Sequence, residues 1–94
     1  MMENLHIIKG LYAVTPDEKD LFILSSKVES CIKGGARLIQ YRSKTLPKIE
    51  QKKQARKVKM VCDYYKVPLI INDDIELCRI LDADGVHLGE NDDS

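Results

Sequence analysis

The chain has 94 residues, 44% of them apolar, and its 15 basic side chains balance 15 acidic ones to a formal net charge of zero. That size suits one small domain, and the neutral balance argues against a general nucleic-acid binder, which needs a basic face. No apolar run approaches the roughly 18 residues of a membrane helix, and residues 1–10 lack the charged start and long apolar stretch of a secretory leader.

In chain order, residues 10–14 read as a short strand that Thr15-Pro16-Asp17 breaks. His6 precedes that strand and is read as a surface residue. From about Asp20 the period changes, with Leu21, Leu24, Val28, Cys31 and Ile32 on one helical stripe. Gly34-Gly35 then supplies a left-handed helix end. "ARLIQYR" is the second strand. Thr45-Leu46-Pro47 opens the next helix, with Pro47 near its first position. The inward stripe of that helix is Ala55, Val58, Cys62 and Tyr65, with Val61 beside it. Its Lys and Arg residues, interrupted by Glu50 and two glutamines, read as a solvated outer face. "VPLIIN" is a third strand, apolar on both faces as a buried parallel strand should be. "DDIELCRILDA" is a short helix, "DGVHLG" the fourth strand, and "ENDDS" follows. Cys31, Cys62 and Cys78 fall in helical segments with no CxxC pair, which reads as reduced thiols in a cytoplasmic protein.

The predicted order is βαβαβαβ, a parallel sheet with helical crossovers. Four such strands close poorly, because parallel sheets are normally covered on both faces and bare edges invite pairing. The expectation is a single partial domain over residues 1–94, one half of a TIM (β/α)8 barrel, whose open edges would invite a homo-oligomer.

Ligands bind at the carboxyl ends of parallel strands. There the second strand carries Gln40, Arg42 and Lys44, which share a face by alternation, while Ile39 and Tyr41 share the other. Ile39 and Tyr41 suit a face under helices, so the first three are expected to point inward. Buried cations need a counter-charge, which a bound anion would supply. The third strand ends in Asn72-Asp73-Asp74, and Glu90-Asn91-Asp92-Asp93 follows the fourth. Carboxylates beside an anion site make sense when Mg²⁺ lies between them and phosphate oxygens. On chemistry alone, Asp73 and Asp74 remain open as ligand or helix cap, and Asp92 and Asp93 as ligand or loop. His87 is read as a core histidine rather than a catalytic acid or base. No GxGxxG, Walker or GxSxG pattern is present.

Four segments, "GLYAVTP", "GGARLIQYRSK", "PLIINDD" and "ADGVHLGENDDS", resemble thiamine phosphate synthase, in family order, each at the carboxyl end of a strand. The chain is similar to the N-terminal half of that (β/α)8 barrel. The resemblance implies a transferase of thiamine biosynthesis that joins hydroxymethylpyrimidine diphosphate to a thiazole phosphate, releasing pyrophosphate. By motif, Gln40, Arg42, Lys44 and Asn72 would bind the pyrimidine diphosphate, and Asp73 and Asp92 would hold Mg²⁺. No side-chain nucleophile is implied. The family usually has Gln-Glu-Asp where this chain has Glu90-Asn91-Asp92. The later strands that hold the thiazole phosphate are not in the sequence, so the half alone is expected to have little coupling activity. Two other readings are a thiazole tautomerase-like isomerase and a non-catalytic half-barrel assembly module. The intact Gln-x-Arg-x-Lys and Asn72-Asp73 favour the synthase.

Overall fold

A computed structural model describes the backbone of residues 6–8 and all of residues 12–89. Strands β1 (His6–Ile8), β2 (Tyr12–Val14), β3 (Leu38–Tyr41), β4 (Leu69–Asn72) and β5 (Gly85–His87) alternate, from β2 onward, with helices α1 (Leu21–Lys33), α2 (Lys48–Tyr64) and α3 (Ile75–Leu81). The sheet has the order β1-β2-β3-β4-β5. β2 to β5 pair in parallel, as the alternation of strand and helix predicts. β1 departs from the expectation. It runs antiparallel to β2, with His6 opposite Val14. Three residues are too few to display a period, but pairing them covers the edge that β2 would otherwise expose. Of the predicted first strand, Gly10 lies outside the described residues, as do Glu90, Asn91, Asp92 and Asp93.

The helices form for local reasons. The Asp20 carboxylate caps α1 by accepting from the Ile23 amide at 2.9 Å. At its other end Gly35 takes φ +120°, and the Ala36 amide reaches back to the Cys31 carbonyl at 3.1 Å. Pro47, expected near the first position of α2, is its N-cap. Asp82, in the left-handed conformation at φ 56°, ends α3.

All three helices pack on one face of the sheet. Leu24, Val28 and Cys31 of α1, Ala55, Val58 and Cys62 of α2, and Leu77 and Leu81 of α3 meet Ala13, Ile39, Tyr41, Leu69 and Ile71 in one core. Burial pushes the Cys62 thiol up to about 12, so it stays protonated. Two stripe residues are corrected. Leu21 is exposed on α1, whereas Ser25 is buried. Tyr65 is the C-cap of α2, only half-buried, and donates to the Glu29 carboxylate at 2.5 Å, while Gln54 takes a buried place on the helix.

Among the described residues no helix packs on the opposite face. Strand register lines up Val14, Gln40, Ile70 and Gly85 in one row and Asn72 with His87 in another. None of these residues belongs to the core cluster. A parallel sheet covered on one side only is the arrangement of half a closed barrel, whose inner face is filled from strands on the far side.

Candidate functional site at the carboxyl rim of the sheet

Alternation along β3 sorts the rim residues as the sequence suggests. Ile39 and Tyr41 are buried under the helices, and the Tyr41 phenol donates to Gln54 Oε1 of α2 at 2.8 Å. Burial pushes that phenol up to about 12. Gln40 lies on the other face and is 3% exposed. Beyond it the expectation is corrected. Arg42 is only half-buried and Lys44 is exposed. The strand ends at Tyr41, and the following backbone carries both cations to the surface, so neither requires a buried counter-charge.

The loop after β2 holds this segment. The Arg42 amide donates to Thr15 Oγ1 at 2.9 Å, and the Thr15 hydroxyl donates to the Arg42 carbonyl at 3.2 Å. The Lys44 amide donates to Asp17 Oδ1 at 2.7 Å. Gln54 Nε2 donates to the Glu18 carbonyl, so α2 is fastened to the same loop. The Ser43 hydroxyl is buried without a hydrogen bond of good geometry among the described residues. Its pull on the Tyr41 phenol is too weak to offset burial. Sequence reading took Thr15 and Asp17 as turn residues and Gln54 as surface. Only the period of α2 pointed to Gln54, one place before Ala55 on the inward stripe.

Register sets the neighbouring strand end alongside. Tyr41 pairs with Ile71, so Arg42 and Asn72 stand next in their strands, and Asn72 pairs with His87. Asn72 is half-buried on the uncovered face. His87 is exposed, not a core histidine. It stands in the last described strand, on the face that no helix covers among the described residues.

The adjacent aspartates differ. The Asp74 carboxylate caps α3 by accepting from the Leu77 amide at 2.9 Å and takes Lys48 Nζ at 3.0 Å. Burial alone would raise its pKa, but the Leu77 amide and the Lys48 ammonium together hold it below the usual carboxylate value. Asp73 does not cap. It sits at φ 55°, its amide donates to the His87 carbonyl at 2.8 Å, and its Oδ1 accepts from the Gly89 amide at 2.9 Å. It is exposed at the rim. A carboxylate oxygen is the donor that Mg²⁺ selects, and one or two such ligands beside substrate phosphates complete its usual shell. Asp73 therefore fits that role in chemistry. Among the described residues no group of three or more His, Cys, Asp or Glu could hold a metal alone, and Asp92 lies outside them.

A family model described as thiamine monophosphate synthase matches residues 11–94. A thiamine-phosphate synthase of Nitrosospira multiformis is 49% identical over 85 residues, covering 90% of this chain and 36% of the relative. That of Janthinobacterium sp. (strain Marseille) is 46% identical over 94 residues, covering all of this chain and 44% of the relative. That of Thermoplasma acidophilum is 42% identical, covering 90% of this chain and 39% of the relative. The chain thus spans about two fifths of the length of the curated relatives it matches.

Proposed function

We propose, from the premise that this chain belongs to the thiamine monophosphate synthase family, that it carries the diphosphate-binding half of a thiamine-phosphate synthase site. Residues 1–94 then act as one partial domain. The observation that carries the reading is the rim itself. Gln40, Arg42, Lys44, Asn72 and Asp73 stand at the carboxyl ends of two neighbouring parallel strands. The substrate bound there is hydroxymethylpyrimidine diphosphate. Arg42 offers it a two-pronged hydrogen-bond donor and Lys44 a point charge. Gln40 and Asn72 supply amide groups on the uncovered face. Mg²⁺ is held by Asp73, with Asp92 as second carboxylate, and supplies Lewis-acid neutralisation of the diphosphate.

The reaction is a transfer of the pyrimidine methylene. Its bond to the diphosphate oxygen breaks, the thiazole nitrogen forms a bond to the same carbon, and pyrophosphate leaves with the electron pair. The protein's contribution is positioning and stabilisation of the leaving charge. The thiazole phosphate is met by the part of the family's length beyond these strands, or by a second copy against the uncovered face. Free Cys31, Cys62 and Cys78 fit the reducing cytoplasm, and no helix among the described residues is long and apolar enough to cross a membrane.

Thermal melting tests the site without the second substrate. With Mg²⁺ and inorganic pyrophosphate at about ten times the dissociation constant, binding stabilises by about 1.4 kcal/mol. In a domain of this size that raises Tm by roughly 5–10 °C. Asp73→Ala should remove the Mg²⁺-dependent part of the rise and Arg42→Ala most of the whole. An unchanged Tm at saturating pyrophosphate would contradict the reading.

A further inference from the structure

Thr15, the residue after β2, is 2% exposed. Its hydroxyl does what no aliphatic side chain can. It accepts from the Arg42 amide and donates to the Arg42 carbonyl, occupying both backbone groups of one residue 27 positions away. No strand pairing serves Arg42, because β3 ends at Tyr41. Without the hydroxyl, a half-buried N–H and C=O would lose their partners, a loss that ordinary backbone geometry resists. Asp17 repeats the device two residues on, at the Lys44 amide. Below them Gln54 ties Tyr41 to the Glu18 carbonyl, and Lys27 pairs with the Glu18 carboxylate at 3.3 Å. The loop after β2 is thus bonded directly to the Arg42 backbone and the Lys44 amide, and through Gln54 to Tyr41. None of these bonds involves the side chains of Arg42 or Lys44, which remain available.

We propose that Thr15 is the positioning residue of the rim, its hydroxyl clasping the backbone of Arg42 so that the Arg42 and Lys44 side chains leave the strand in fixed directions, with Asp17 and Gln54 as further anchors. The claim rests on the proposed function for what those cations bind, but the clasp itself does not. Fixed donors bind a diphosphate better than mobile ones because less ordering is left to binding.

The test uses the full 94-residue chain as wild type, Thr15→Val, Thr15→Ser and, as a control of comparable destabilisation away from the rim, Val58→Ala. Thr15→Val keeps the shape and the backbone bond from its own amide to the Gln40 carbonyl at 2.9 Å, so strand pairing is not what the variant breaks. Two readouts are taken well below melting. Amide hydrogen exchange at Arg42 and Lys44 should rise about tenfold or more in Thr15→Val, while Ile39 and Ile71 keep their protection. Affinity for inorganic pyrophosphate with Mg²⁺ should fall about tenfold in Thr15→Val, recover in Thr15→Ser and stay near wild type in Val58→Ala. Unchanged exchange at Arg42 overturns the clasp. Faster exchange with unchanged affinity, or an equal loss in Val58→Ala, overturns positioning and leaves Thr15 a structural residue. If wild type binds no pyrophosphate, the proposed function falls, and exchange together with the relaxation of the Arg42 Nε–H group still decides whether Thr15 orders that side chain.

Discussion

Asp73 and Asp74 are adjacent and chemically identical, yet the backbone gives them different tasks. Asp74 stands before α3 at φ −144° and ψ 88°, and its carboxylate folds back on the Leu77 amide and meets Lys48. Asp73 occupies the left-handed region at φ 55°, which Asp tolerates better than most residues, and this turns its carboxylate away from the helix toward Gly89. Sequence reading left the pair open because composition cannot report φ. Asp74→Ala should cost about 1 kcal/mol through the lost cap. Its folded pKa is depressed below the ordinary value of 3.8, so its contribution is present above that pH and fades as pH falls through the folded value. Urea titrations from pH 7 to pH 2.5 should therefore show wild type losing stability below about pH 4 more steeply than Asp74→Ala. Parallel acid limbs would contradict this. The same residue-level limit applies to Arg42 and Lys44. Alternation gave Gln40 its face, but alternation holds only while the strand lasts, and the strand stops one residue short of Arg42.

Elements were legible where a period or a stop signal was written plainly. The helix start near Asp20, its end at Gly34-Gly35 and the parallel pairing of β2 to β5 were readable in this way. β1 was not legible, because three residues carry no period. Gln54 was missed for a related reason. A polar residue on a charged helix reads as surface until its two partners, Tyr41 and the Glu18 carbonyl, are seen beneath it. Two stability predictions belong here. Gly35→Ala meets no atom within 4 Å, so its cost is conformational, arising from φ +120°, and should be about 1–3 kcal/mol in urea midpoints. Gln54→Leu fills the same space but strands the Tyr41 hydroxyl and the Glu18 carbonyl. It should cost about 1–3 kcal/mol and leave the urea m-value unchanged. A neutral Gln54→Leu would mean the amide bridge holds nothing together.

For the molecule as a whole, the governing fact is a five-stranded sheet with helices on one face and, among the described residues, no helix on the other. The rim of charges lies at the carboxyl ends of the strands, and the face away from the helices carries the buried Gln40 and the half-buried Asn72 beside it. The covered half folds around a continuous core, so the rim's geometry is set by residues already present. That is why these strands are proposed to bind the diphosphate without the remainder of the family's length, while the coupling of two substrates needs both sides of a barrel. The direct measurement is calorimetric titration of the chain with hydroxymethylpyrimidine diphosphate, with and without Mg²⁺, repeated on Arg42→Ala and Asp73→Ala. The account predicts one saturable site that requires Mg²⁺, is lost in Arg42→Ala and loses its Mg²⁺ dependence in Asp73→Ala. Absence of binding to the folded wild-type chain, or binding indifferent to both substitutions, would contradict it.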